Sequence, residues 1–298
     1  MRADHNHKSI SLNLRTDEGL RKLQRQGVIP EASQSKGEMR RMEHTGQAES
    51  LLVKKEAGVC TITLNRPHVL NALTVEMFSL LQQAIAEAAD DSEVEVLVLR
   101  GAGGHFCSGA DLTVLTSLSE KSEADDALSV INDFITRLNQ MPKPVIAVVE
   151  GVAVGAGLNL ALHADFVIAA KDAVLQEPFV QIGLTTDFGG TYLLPRLVGT
   201  AWAKRLALLG EKISGQTAEQ IGLIYRAVEP ARIEQEVEAL VSMVRRLPSQ
   251  AYAVTKEGLG RCQFNGLEYA LAWEKQQQPS LIAHPEFQSL VRAKRKGT

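Results

Sequence analysis

The chain has 298 residues, of which 45% are apolar and 22% charged, and a formal net charge of -3. That is enough apolar material to bury the core of one large domain, and the near balance of charge argues against a general nucleic-acid binder. The three cysteines, Cys60, Cys107 and Cys262, lie far apart without metal-ligand spacing, so a reduced, cytoplasmic setting and no bound metal are expected.

Residues 1–49 are polar, with nine Lys/Arg against seven Asp/Glu, and read as a disordered N-terminal extension. The mix of signs is unlike a transit peptide, no continuous apolar core suggests a secretory signal, and Met39 or Met42 is an alternative start. Leu51–Lys55 and Val59–Leu64 alternate around Glu56-Ala-Gly58 and predict a hairpin. Thr74 is a plausible N-cap for a helix carrying Met77, Leu80, Leu81, Ala84, Ile85 and Ala88 at helical spacing. Val94–Leu99 reads as a buried strand, and the strand–helix–strand order predicts a layered α/β fold. Glu120–Gln140 becomes helical from Leu128 onward, and its charged beginning suggests a cover for an acyl chain.

Pro144–Val149 is a short Val/Ile run behind a proline, read as a buried strand. Gly151, Gly155 and Gly157 then punctuate a turn, and helical spacing resumes near Ala156. A strand, a glycine turn and a helix start bring unpaired backbone N–H groups to one point, where they can hold an anion or a developing oxyanion. Glu150 and His163 interrupt the apolar region, so a membrane span is not expected. Neither glycine cluster fits nucleotide chemistry: Gly101–Asp111 lacks a P-loop's Lys-Ser/Thr ending, and Gly155-Ala-Gly157 lacks the third glycine of a dinucleotide turn. His163 reads as a core or turn residue. Asp165–Ala170 predicts another strand. Ala218–Leu223, Arg232–Leu247, Ser249–Arg261 and Gly266–Gln278 predict helices, and the closing Arg292, Lys294, Arg295 and Lys296 read as a solvated basic tail.

Five blocks in order carry a resemblance: Leu64-Asn-Arg-Pro67 with Asn71-Ala-Leu73, Phe106-Cys-Ser-Gly-Ala-Asp-Leu112, the glycine turn through Asp165, Gly183–Leu194, and Leu209–Ser214 with Ala218–Leu223. Together they resemble the enoyl-CoA hydratase/isomerase, or crotonase, superfamily over residues 50–288. The resemblance implies an α/β, ClpP/crotonase-like spiral of ββα repeats at 50–228 and a C-terminal helical trimerisation region at 229–298. It implies a homotrimer or homohexamer acting on an acyl-CoA thioester, with coenzyme A as part of the substrate and no other cofactor, nucleic acid or membrane partner.

In that family the backbone N–H groups forming the oxyanion hole fall on Ala110 and Ala156, with Gly109 and Asp111 beside the substrate. The two glutamates of the hydratases fall on Asn159 and Phe179, and Glu177 stands two positions early. Asp187 occupies a position where isomerising members carry an aspartate base, and Asn159 is left as a polar positioning group. Phe179 and Tyr192 are candidates for shaping the acyl cavity.

Gly183–Arg196 with Leu206–Gly210 looks most like the 1,2-epoxyphenylacetyl-CoA isomerase subgroup of phenylacetate breakdown. This implies isomerisation of an enoyl or ring-epoxide acyl-CoA through a thioester enolate, with one aspartate as acid and base. Decarboxylation, thioester hydrolysis, hydration and catalytically silent acyl-CoA binding are the alternatives.

Overall fold

The computed structural model describes residues 49–111, 113–114, 121–262 and 265–296. The expected N-terminal extension therefore lies outside the described residues except for Glu49, as does Glu120, while the rest of the charged segment that follows is already helical from Lys121, earlier than the sequence suggested.

The hairpin forms as its alternation predicts. β1 (Leu51–Glu56) and β2 (Val59–Leu64) pair antiparallel around Ala57 and Gly58, both at positive φ, and β2 alternates its burial. α1 (Val75–Asp90) is capped by Thr74, whose Oγ1 accepts from Met77 N at 3.3 Å, and it buries Met77, Phe78, Leu81, Ala84, Ile85 and Ala88. β3 (Val96–Gly101) returns parallel to β2, and α2 (Lys121–Asn139) precedes β4 (Val145–Val149). β4 is buried at every position, as an interior strand covered on both faces requires.

A six-stranded sheet results, in the order β1-β2-β3-β4-β6-β9, parallel beyond its first pair; its last two members are β6 (Phe166–Ala170) and β9 (Arg226–Val228). A second sheet has three strands, β5 (Val152–Val154), β7 (Val174–Gln176) and β8 (Ile213–Ser214), with β7 central. α3 (Ala156–Leu162) runs between β5 and β6 and is buried along its whole length, so its one polar side chain, Asn159, must find partners inside.

Beyond β7 come a 3₁₀ turn (Phe179–Ile182) and α4 (Gly190–Leu209), which contains Pro195 and is broken by Gly199 at φ 70°. α5 (Gly215–Gln220) starts at an Ser214 cap, earlier than the sequence suggested. α6 (Ile233–Arg245), α7 (Ser249–Cys262), α8 (Leu267–Ala283) and α9 (Pro285–Lys296) complete the helical C-terminus. No helix among the described residues is long and apolar enough to cross a membrane.

Candidate active site

Two loops meet at the start of α3. The Phe106–Asp111 loop is tied to the residues before α1: Leu73 N donates to Gly109 O and Asp111 N donates to Leu73 O, each at 2.8 Å. Asn71, fully buried at φ 57°, gives Nδ2 to the carbonyls of Ala102 and His105 and accepts Arg66 N on Oδ1. Arg66 Nη1 also bonds Ala72 O at 2.7 Å and the Asp111 carboxylate at 2.8 Å. Bonds from Thr113 and then from Arg66 hold Asp111 down to about 2, so its charge is spent on fixing the loop.

These ties leave the Ala110 N–H facing away from Leu73. Neither it nor the N–H of Ala156, the first residue of α3, meets an acceptor among the described residues. The loops touch here: a Cβ added to Gly109, at φ 102°, would stand 3.0 Å from Val154 O and 3.8 Å from Ala156 N. On the other side, Gly157 packs against Cys107, whose thiol burial pushes up to about 12. The two loops are therefore in close contact, and each carries a backbone N–H without an acceptor among the described residues.

Asp187 stands in the loop before α4, where its backbone is restrained. Its carbonyl accepts Asn159 Nδ2 and Gly190 N, both at 2.9 Å. The next residue, Phe188, has φ 48°, a conformation that costs energy for a bulky side chain and persists only where surroundings enforce it. Here the ring packs against Phe78 and Phe134, with centroids 5.8 Å away from each, and the carbonyl bonds His163 Nε2 at 2.9 Å. His163 is thus the structural residue its sequence context suggested, and burial lowers its proton affinity.

The Asp187 carboxyl is half-buried, and its Oδ1 has no hydrogen-bond partner. Loss of water contact pushes its pKa up from 3.8 to about 6, opposed in part by its own backbone N–H. Asn159, expected as a polar positioning group, bonds Thr186 Oγ1 at 3.0 Å as well as Asp187 O. It also reaches Glu177 Oε2 at 3.3 Å. Glu177, together with Thr186 and Phe188, is the part of this cluster that sequence reasoning had not assigned. The available signal was a lone carboxyl in the apolar Val174–Phe179 run.

Of the cavity candidates, Phe179 is buried with its ring over Gly155. Tyr192 is 40% exposed and carries the Arg196 guanidinium 3.7 Å above its ring. It lines a cavity of about 770 Å³ between α4, α7 and α8, with Leu197, Val254, Leu259, Trp273 and Leu281. Asp187, Ala110, Ala156 and Phe179 lie outside that wall, so the cavity and the polar cluster are neighbours through α4 and not one pocket.

A family model described as enoyl-CoA hydratase/isomerase matches residues 54–297. The chain belongs to that family. A 1,2-epoxyphenylacetyl-CoA isomerase from Escherichia coli (strain K12) is 37% identical over 233 residues, which cover 77% of this chain and 89% of the relative. A probable enoyl-CoA hydratase from Rhodobacter capsulatus is 38% identical, covering 79% and 91% respectively. Among solved structures, an enoyl-CoA hydratase from Mycobacterium smegmatis has a TM-score of 0.80 at 31% identity, covering 84% of this chain and 97% of that one. The α/β core is therefore crotonase-like, and membership of the family carries acyl-CoA chemistry without fixing which reaction is run.

Proposed function

We propose that this protein is a cofactor-independent acyl-CoA isomerase that moves a double bond, or opens a ring epoxide, through a thioester enolate. The N–H groups of Ala110 and Ala156 hold the thioester oxygen, Asp187 is the single acid/base, and Asn159 positions it. The observation carrying this reading is Asp187 itself: a restrained carboxyl with one buried, unpartnered oxygen and a pKa of about 6. At neutral pH it is ionised enough to take a proton and, once protonated, acidic enough to return one.

With a 3-enoyl thioester, the Asp187 carboxylate removes a proton from the carbon next to the carbonyl. The electron pair delocalises onto the thioester oxygen as a dienolate, which the two N–H groups stabilise. The new Asp187 carboxylic acid then protonates the carbon two positions further along, giving the conjugated product with no net redox change. The name of the Escherichia coli relative supports a phenylacetyl-type acyl group among the substrates.

Hydration is the second reading, supported by the Rhodobacter relative's name and by a second carboxyl, Glu177, in the same cluster. Against it, Glu177 is 0% exposed and bonded to Asn159 and Thr186, which leaves it no approach to an attacking water. Exposed Leu259, Leu267 and Leu271 on α7 and α8 support self-association, which a homotrimer or homohexamer would require. The test incubates the protein with a 3-enoyl-CoA and separates the products. A 2-enoyl-CoA without 3-hydroxyacyl-CoA is expected; a 3-hydroxyacyl product as the main species overturns the isomerase reading.

A further inference from the structure

Glu177 has no role in the chemistry above, yet it is the most completely buried acid among the described residues, at 0% exposure. Its Oε2 accepts from Thr186 Oγ1 at 3.0 Å and from Asn159 Nδ2 at 3.3 Å, while Oε1 has no partner. No cation among the described residues offsets it. β7 and the turn after it, Val174–Ile182, bring no other charge. The titratable groups on the surrounding elements are Asp187, which is also acidic, and His163 at the end of α3, whose ring is engaged by Phe188 O and Asn139.

The cluster is short of donors. Asn159 Nδ2 has two hydrogens but three acceptors within range, namely Thr186 Oγ1, Asp187 O and Glu177 Oε2. Three more buried acceptors, Asn159 Oδ1, Glu177 Oε1 and Asp187 Oδ1, have nothing to accept. Buried polar atoms rarely go unpaired, and adding a second negative charge deepens the deficit while a proton on Glu177 relieves it.

We propose that Glu177 is a positioning residue for Asp187: held as a neutral acid, it ties together Thr186 and Asn159, which carry the Asp187 loop, and losing its proton disables the site. This rests on the reading of Asp187 as the acid/base. Burial pushes Glu177 up to about 8, the Thr186 and Asn159 bonds oppose that in part, and the charge on Asp187 adds to it. With Asp187 at about 6, the pair holds one proton at neutral pH and Glu177 keeps it. Above that range, a charged Glu177 draws the Asn159 amide toward itself and repels both Asp187 and a forming enolate.

The experiment compares wild type, Glu177→Gln and Glu177→Ala. Gln keeps the shape and stays uncharged, so it separates charge from packing. Infrared difference spectra should show a protonated-carboxyl band in wild type at pH 7 that is absent from Glu177→Gln and fades above about pH 9. With 3-enoyl-CoA, wild-type kcat should fall through an alkaline limb near about pH 8, and Glu177→Gln should lose that limb while keeping kcat within about threefold at pH 7. Glu177→Ala should lose at least about tenfold in kcat with KM little changed.

A missing band at pH 7, or an alkaline limb identical in wild type and Glu177→Gln, overturns the proposal even if Glu177→Ala fails to fold. The infrared reading needs no turnover. Failure of the Asp187 assignment is seen separately, as full activity in Asp187→Asn.

Discussion

Replacing Gly157 by alanine sets helix propensity against packing at the point where the two backbone donors meet. Alanine in a helix interior gains about 1 kcal/mol over glycine. At Gly157, however, the new Cβ would stand 2.5 Å from Cys107 O, 2.7 Å from Cys107 Cβ and 2.8 Å from Cys107 Sγ. Comfortable carbon contacts need about 3.5–4.0 Å, so roughly 1 Å of separation must be found. Cys107 cannot yield it cheaply, being fully buried with its carbonyl accepting Val154 N at 2.9 Å.

Forced overpacking costs about 1–3 kcal/mol, and a weakened Cys107–Val154 bond adds about 1 kcal/mol. Net destabilisation of about 1–3 kcal/mol is expected, which for a domain this size lowers the thermal midpoint by roughly 5 °C. The same displacement moves Ala156 away from Ala110, and an error near 1 Å in an active site costs about a hundredfold in rate. The assay is a thermal melt alongside kcat on 3-enoyl-CoA. A variant as stable and as active as wild type would refute the idea that these loops hold fixed donors.

Asn159→Ala removes the amide that joins Thr186, Glu177 and the Asp187 carbonyl. Stranding those groups should cost about 2–4 kcal/mol in denaturant unfolding, and kcat should fall more than KM rises. Asp187 itself is a stability cost. Its native pKa of about 6 lies above the ordinary 3.8, so the unfolded chain ionises first and stability falls as pH rises from about 4 to about 6. Asp187→Asn should therefore unfold about 1–2 kcal/mol later than wild type at pH 7, after allowing for its partial exposure, with the gain shrinking toward pH 4. An unchanged difference between those two pH values would show that the carboxyl is not held against its own charge.

The elements legible in the sequence are those whose burial follows a simple period: the alternating β2, the continuously apolar β4, and α1 with its Thr74 cap. α4 was hidden because Gly199 and Pro195 break its periodicity. α8 continues through Pro279, where the sequence suggested an end near Gln278, and α9 was missed because its composition is polar and basic. In the site, the glycine punctuation marked the turn before Ala156, whereas Ala110 and, through the block around Gly183–Thr191, Asp187 were indicated only by the family resemblance. Glu177 was not legible as a partner. Its contacts lie nine residues away at Thr186 and eighteen away at Asn159, and they exist only after the loop before α4 folds back over α3.

The most direct test of the central claim is proton exchange in deuterated water with a 3-enoyl-CoA, followed by mass spectrometry for wild type and Asp187→Asn. The account predicts deuterium uptake and double-bond migration in wild type, both reduced at least about a thousandfold in the variant while the thioester still binds. Exchange at near wild-type rates in Asp187→Asn would contradict it and move the base to another residue.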